Sequence, residues 1–419
     1  MPDKSFKFLH AANLYLSHQL VGTGYLNDDA QKVVQQATNA AFQNLVEEAI
    51  AWEVDFVLLA GNSFDETDES LGARVELLAG LSLLHAANIP TFILPGQADP
   101  YDVWHRMAGL PNSVTIINPQ SSDLFAIESG EGSKEKLIAH IGTVRSFQSQ
   151  PSRNSFQIAM TATDEIDEQL KQQSLSGAVN YLAMGGNVRQ TVESSTGTLH
   201  APGGTQGIIA TDIGERGCSL VEVNLLTDTN QKPSIEIEFL PVATVRWESP
   251  IVQTSRFANK EMLSKQMSQA LEDVQPQPHE KLWLLQWTLD NSGTLSSLLQ
   301  EEKKDQSLTG LLRHILSVPK EIQIHSTYQL RPDENSINQL TQQSPLAESF
   351  FQKIDERKEA LPEQLQQLMA SAGLQENNRT KELVSLIKNL NPDKIRGHAQ
   401  QLGLDWFSSI ASSKSLEEE

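Results

Sequence analysis

The residues with chemical potential in this chain sit just after short apolar runs. The run VDFVLLA, 54–60, empties into GNSFDE, which offers Asn62 and Asp65. TFILP, 91–95, empties into GQAD, which offers Gln97 and Asp99. KFLH, 7–10, ends on His10 and is followed by Asn13 and Tyr15. Runs of this kind that stop at a Gly-polar step read as buried parallel strands. In an α/β sheet the loop after a strand's carboxyl end carries the chemistry. A carboxylate at position 62 would bind a metal ion, and the neutral amide of Asn62 is a poor substitute. A different metal set is conceivable from Asp65, Asp99, Asp102, His105 and His200. Against it, the 10 histidines include no H-x-H, H-x-x-x-H or H-E-x-x-H pair.

Other candidates are weaker. Cys218 falls inside the strand-like GCSLVEV and reads as a small core hydrophobe rather than a nucleophile. HAPGGTQGI is glycine-rich but lacks the G-x-x-x-x-G-K-[ST] spacing, so it reads as a turn. Trp283 and Trp287 lie four apart on a predicted strand and share a face. A buried core face is the expectation for them, not a base-stacking platform.

The elements that must position these residues alternate in type. Strands are predicted at 7–10, 54–59, 91–95, 114–117, 136–142, 157–161, 180–184 and 219–223. A long helix between the first two carries Val34, Ala37, Ala41, Leu45 and Ala49 on one face. A second helix covers about 71–87. Residues 224–242 read as a hairpin with a polar turn at 227–233. After Val245 the pattern changes to a helix (258–274), a strand (281–289), a helix (306–317) and a strand (321–330). From Ser336 the chain is rich in Gln, Glu, Lys and Leu and reads as helical. Leu346, Phe350 and Ile354 make one stripe. Leu365, Leu368 and Met369, and then Leu383, Leu386, Ile387 and Leu390, make others.

Five segments, in order, resemble the motifs of the calcineurin-like metallophosphoesterases. More narrowly, they resemble the branch that contains bacterial DNA double-strand-break repair exonuclease subunits. FLHAANLYL (8–16) stands for F-x-H-x-A-D-x-H-L, AGNSFD (60–65) for A-G-D-x-F-D, and GQAD (96–99) for G-N-H-D. A later histidine of the family falls at Ala162, and its closing G-H-x-H falls on GGNV, 185–188. HAPGGTQGIIATDIGERGCSLVEV (200–223) matches the family's P-G-x-x-Q-G and E-x-G-x-x-L-V-x-V frame. The resemblance implies a four-layer αββα sandwich over 1–245, a small α+β capping domain over 246–335 and a C-terminal helical segment over 336–419.

It also implies a site, and there the sequence departs from the family. Members hold two divalent metal ions, typically manganese, with Asp, His and Asn side chains. Here Asn13 replaces Asp, Tyr15 replaces His, Asn62 replaces the bridging Asp and Gln97 replaces Asn. Ala98 stands for the catalytic His, Ala162 for a further His, and Gly186 and Val188 for the final pair. Asp65 and Asp99 are retained but are not principal ligands in the family; His10 is retained where it packs or hydrogen-bonds. Two divalent ions about 3.5–4 Å apart repel unless an anion bridges them, and Ala, Gly and Val give no side-chain donor. The expectation is a catalytically inactive protein with no cofactor and a binding or assembly role. The alternative is an active metal-dependent phosphoesterase or DNA exonuclease with a rearranged metal site.

Composition narrows the partners. The net charge of −21, from 32 basic and 53 acidic residues, argues against direct binding of duplex DNA. No apolar run reaches 18 residues, so no membrane span is expected, and the single cysteine suits a reducing cytoplasm. The resemblance suggests a coiled-coil ATPase of the chromosome-maintenance type as partner. Self-association is the other route, in both cases through the C-terminal helices and the stripe Leu346, Phe350, Ile354.

Overall fold

In the computed structural model the described residues are 4–68, 71–129, 136–149, 155–163, 179–194, 197–225, 233–252, 259–290, 307–331, 334–356, 395–397, 399–400, 402–403 and 406–407. They form two compact units. The first holds Met1–Glu248, Pro276–Leu284 and Lys320–Gln323; the second holds Ser249–Gln275, Leu285–Pro319 and Ile324–Glu419. The sequence reading divides the chain serially, whereas these units interleave.

The first unit is built on two six-stranded sheets. One contains β1 (Lys4–Ala12), β2 (Phe56–Ala60), β3 (Thr91–Leu94), β4 (Val114–Ile116), β11 (Gly217–Leu225) and β12 (Ser234–Pro241), in the order β12-β11-β1-β2-β3-β4. The steps β1-β2, β2-β3 and β3-β4 are parallel, and β11 joins β1 and β12 antiparallel. FVLLA and TFIL are buried at every position, as strands covered on both faces must be. The other sheet contains β5 (Leu124–Ser129), β6 (Lys136–Thr143), β7 (Phe156–Thr161), β8 (Tyr181–Met184), β9 (Gln190–Glu193) and β10 (Thr198–Ala201). Its order is β5-β6-β7-β8-β10-β9.

Helices cover both outer faces. α1 (Asp28–Ala51) starts where the Asn27 side chain accepts from Ala30 N at 2.8 Å, and Asp28 and Asp29 complement its positive end. Its predicted face is buried, and Phe42 and Leu45 join Leu77 and Leu81 of α2 (Leu71–Ala86) against Leu9, Val57, Leu59 and Ile93 of the first sheet. Between the sheets Phe6, Phe8, Phe56 and Phe92 meet Ile141, Phe156, Ile158 and Tyr181. Phe8 and Phe56 stack with ring centres 4.9 Å apart. On the far face Phe147 of α4 (Val144–Ser149) packs on Leu182, Met184 and Leu199. The layers are therefore α, β, β, α. One further short helix, α3 (Tyr101–His105), follows β3.

The first stretch of the first unit ends in β13 (Val245–Glu248). In the second unit β14 (Ile251–Val252) runs parallel to β15 (Leu282–Asp290, of which Leu282–Leu284 belongs to the first unit), Ile251 opposite Thr288. α5 (Lys260–Gln269) is capped by Asn259, whose side chain accepts from Met262 N. It ends five residues before the predicted limit, at Ala270, where the chain turns toward Pro276. α6 (Ser307–Ile315) and β16 (Gln323–Arg331) follow. Trp283 and Trp287 are both fully buried; their indole N–H groups donate to Glu280 Oε2 at 2.7 Å and Ser326 Oγ at 3.3 Å.

α7 (Glu334–Gln343) and α8 (Pro345–Glu356) pack through Ile337, Leu340, Ala347 and Phe351, with Phe407. The predicted stripe divides. Leu346 is 62% exposed, whereas the Phe350 ring meets Phe407 edge-on at 5.7 Å. The apolar face is centred on Ala347 and Phe351, one position from the predicted line, or about 100° around the axis. The stripes at Leu365, Leu368, Met369, Leu383, Leu386, Ile387 and Leu390 lie outside the described residues, as does most of the turn at 227–233. Phe350→Asp is expected to cost about 2–3 kcal/mol by breaking this cluster. Leu346→Asp is expected to leave the thermal midpoint unchanged and to alter only self-association, both read by melting and sedimentation.

No described helix is long and apolar enough to cross a membrane.

Candidate functional site

The chain leaves β1 through two left-handed residues, Asn13 (φ 49°) and Tyr15 (φ 45°). Asparagine tolerates that geometry because its short amide can bond locally; a bulky residue adopts it only where packing demands it. Asn13 Oδ1 accepts from the backbone N of Asn62 at 3.1 Å and from its Nδ2 at 3.3 Å. Asn62 Nδ2 also donates to Tyr15 Oη at 2.8 Å, and Asn62 Oδ1 accepts from Ala98 N at 2.8 Å. Asn13 Nδ2 donates to Asn187 Oδ1 at 2.8 Å. Burial pushes the Tyr15 phenol up despite the opposing bond from Asn62.

Glycines allow this convergence. At Gly61 (φ 91°) a Cβ would lie 2.6 Å from Asn13 Oδ1. At Gly96 it would strike the Asn62 side chain, and at Gly185 the Ala162 carbonyl. The structure thus brings Asn13, Tyr15, Asn62, Ala98 and Ala162 to one place. Gly186 is left-handed too (φ 105°), whereas Gln97 is exposed and Val188 is 63% exposed. Asn187, the unspecified third residue of GGNV, joins the cluster. Sequence reasoning passed over it because the motif assigns that position no role.

The retained acids do other work. Asp99 is fully buried. Its Oδ1 accepts from Gly96 N at 2.7 Å, and its Oδ2 accepts from Ser63 N at 2.9 Å and Trp104 Nε1 at 3.2 Å. Burial pushes its carboxyl up to about 7, and the three N–H donors pull the other way. Asp65 Oδ1 accepts from Thr67 N at 2.8 Å and Thr67 Oγ1 at 2.6 Å, a local turn.

His10 and His200 lie fully or almost fully buried with ring centres 5.7 Å apart. His10 Nδ1 bonds Tyr181 Oη at 3.0 Å. His200 bonds Thr191 Oγ1 through Nδ1 and Ser219 Oγ through Nε2, each at 2.8 Å. Burial, then the neighbouring His200, holds His10 well below the usual imidazole value. Burial, then Arg189, lowers His200 to about 4. Cys218 is buried on β11, and burial pushes its thiol up, away from nucleophilic character.

Among the described residues no three His, Cys, Asp or Glu side chains are grouped as metal ligands. The cleft residues themselves do not fit a dinuclear pair: Asn13, Tyr15, Asn62, Gln97, Ala98, Ala162, Gly186 and Val188 include neither carboxylate nor imidazole. The carbonyl oxygens of Asn13 and Asn62 already accept N–H bonds. Nothing in the cluster supplies the anion that would bridge two cations.

No family model matches the chain. It is 25% identical over 378 residues to the uncharacterized metallophosphoesterase YhaO of Bacillus subtilis, spanning 83% of this chain and 86% of that protein. It is 30% identical over 95 residues to the DNA double-strand break repair protein Mre11 of Methanosarcina mazei, spanning 23% of this chain and only 14% of that protein. Among solved structures it aligns with TT1561 of Thermus thermophilus at 11% identity and a TM-score of 0.35, covering 57% of this chain and all of the other. A dimetal phosphatase from Danio rerio aligns at 11% identity and a TM-score of 0.31, covering 53% and 93%. The first of these relatives corrects one expectation. "No cofactor" followed from the missing ligands alone; the likeness that spans most of the chain is to a metallophosphoesterase, so that expectation does not stand. The motif order, the layered fold and the likeness to YhaO agree: the chain is similar to the calcineurin-like metallophosphoesterases.

Proposed function

We propose that this chain is a metallophosphoesterase-fold protein that works by binding or assembly rather than by hydrolysis. The observation that supports this reading is the amide and phenol network at the strand ends. Asn13, Asn62 and Tyr15 satisfy one another where the family places its ligands. A general acid is also lacking, since Ala98 stands in the position of the catalytic histidine. General acid–base help is worth about 10²–10⁴-fold, so its loss alone removes most of a phosphoesterase's rate. The resemblance makes a coiled-coil ATPase the first partner to try.

The likeness to a metallophosphoesterase over most of the chain favours a second reading, an active enzyme with a rearranged metal site. The two separate in one assay. Purified protein is incubated with bis(p-nitrophenyl) phosphate, and separately with linear duplex DNA, at several manganese concentrations. Release no faster than the protein-free control is expected. Manganese-stimulated turnover that co-elutes with the protein and stops on chelation would establish the second reading.

A further inference from the structure

Each of the two sheets of the first unit ends in two edge strands, and three of these four are blunted. β4 has three residues and β9 has four. The pairing of β5 with β6 slips between Ile127 and Glu128. Short length and broken register keep an edge from recruiting another strand. β12 carries neither device. It runs for eight residues and pairs with β11 in one unbroken register from Ser234 to Pro241. Among the described residues it has no other strand neighbour.

The direction of its free backbone groups follows from that ladder. Val242 N donates to the carbonyl of Arg216, its partner in the continued register, at 3.2 Å. Bonded and non-bonded pairs alternate along an antiparallel ladder. Leu240, Glu238, Glu236 and Ser234 are therefore bonded to β11, while Ile235, Ile237 and Phe239 turn their N–H and C=O groups outward. Pro241, which has no N–H to offer, falls in the outward set, where an edge tolerates it. Side chains divide with the same period. Ile235 and Ile237 pack, half-buried, against the core between the sheets. Glu236 and Glu238 are exposed on the other face, with Glu236 directly across from Glu222. Lys7 stands opposite Glu222 on its far side and offsets one of these three acids. Beside the start of the strand a hollow of about 170 Å³ opens between Ile235 and Glu193, Ser194 and Thr198. At the other end the Arg189 guanidinium carbon sits 3.8 Å from the centre of the Phe239 ring.

We propose that β12 is a docking edge for an extended, basic segment of a partner protein, which adds to the first sheet as a further strand. Main-chain pairing with Ile235, Ile237 and Phe239 supplies the attachment, and alternate side chains supply the selection. On the outer face, Lys or Arg side chains of the incoming strand meet Glu236 and Glu238. On the inner face, apolar side chains extend the row of Ile235 and Ile237, and the hollow beside Ile235 receives one of them. Arg189 over Phe239 places positive charge at one end of that inner face, so the basic residues belong on the outer one. A second copy of this chain is the wrong occupant. Antiparallel pairing of β12 with itself about Ile237 sets Glu236 against Glu238, and like charges directly opposite are destabilising. The net charge of −21 adds to that repulsion. The proposal goes beyond the reading of the cleft and does not rest on it, because no residue of the amide network lies on β12.

The test uses a fluorescein-labelled octapeptide of alternating lysine and valine, titrated with the full chain at low ionic strength and read by anisotropy. Amide hydrogen exchange of the Ser234–Pro241 stretch is followed in parallel. Saturable binding is expected, with slower exchange in β12 when the peptide is bound. A peptide of the same composition, with its lysines in one block and its valines in another, is expected to bind at least about tenfold more weakly. The alternating peptide is expected to lose at least about tenfold on the double variant Glu236→Lys/Glu238→Lys. That variant sets a lysine across from Glu222, so its melt is expected to match that of the wild type; Glu236→Gln/Glu238→Gln replaces it if it folds poorly. No saturable binding, equal binding of the two peptides, unchanged exchange in β12 or undiminished binding by the folded variant each overturns the docking edge. Concentration-dependent dimers that protect β12 without any peptide would identify a second copy as the occupant and overturn it too.

Discussion

Asp99→Ala is expected to lower stability by about 3–5 kcal/mol, the largest single effect in this chain. The carboxylate joins two loops and a helix by accepting from Ser63 N, Gly96 N and Trp104 Nε1. Alanine leaves three donors behind in a buried place, each costing roughly 1–3 kcal/mol if unpaired. Relaxation and the relief of a desolvated acid offset part of that sum. Asp99→Asn keeps one acceptor and turns an NH₂ group toward the remaining donors, so an intermediate loss is expected. For a unit of this size 1 kcal/mol moves the midpoint about 2–4 °C, which puts the alanine variant about 6–20 °C below wild type. An unchanged melt would show that the loops hold without this acid. Asp99 therefore reads as the fastener of the cleft's backbone, which explains its retention among replaced neighbours.

Acidification gives the second large effect. His200 has a folded value of about 4 against 6.5 for a free imidazole. Below pH 6.5 protons bind preferentially to the unfolded chain. The contribution is whole above about pH 6.5 and drains away as pH falls toward 4, an amplitude of about 3 kcal/mol. His10 acts with the same sign. Asp99 acts with the opposite sign, because its carboxyl is raised from 3.8 to about 7: its contribution is present below 3.8 and lost as pH rises through 7. The wild-type slope mixes these, so the comparison is with His200→Gln, in which the Asp99 share is common. The chain's isoelectric point is about 4.9, so the measurement stops at pH 5.5. Between pH 7.5 and 5.5 the wild type is expected to lose roughly 1–2 kcal/mol more than His200→Gln. Parallel curves would mean that His200 is not held neutral by its burial and the neighbouring Arg189.

The parts of the fold that were legible were those written in local pattern. FVLLA and TFIL announce buried strands by continuous apolar character. The 3–4 spacing from Val34 to Ala49 announces α1. The antiparallel pairing of β11 with β12 follows from two strand-like runs around a polar turn. What local pattern cannot show is pairing at long range. β9 (QTVE) is too short and too polar to register as a strand until β10 lies beside it. The sequence offers His200 as a metal ligand, yet its partners Thr191 and Ser219 come from two different sheets. The motif register placed Asn13, Asn62 and Ala98 near one another, but the amide network depends on Asn187 and on three close-approach glycines. The stripe at Leu346 lies one position off because Leu346–Phe350 and Ala347–Phe351 are two adjacent lines of equal spacing, and only the packing with Ile337, Leu340 and Phe407 selects the second.

The interleaving of the two units limits how this chain can be cut. Arg246, nearly buried, is paired with Glu248 at 2.8 Å, Glu280 at 3.3 Å and Glu215 at 3.8 Å. Glu280 belongs to the return segment Pro276–Leu284, which also brings Trp283. A fragment that stops at Glu248 keeps the arginine and discards its most buried partner and the start of β15. The first unit is therefore not a heritable module that a single splice can move. A chimera that exchanges the remainder with a relative must carry Pro276–Leu284 and Lys320–Gln323 along with the first 248 residues, or it inherits an incomplete piece.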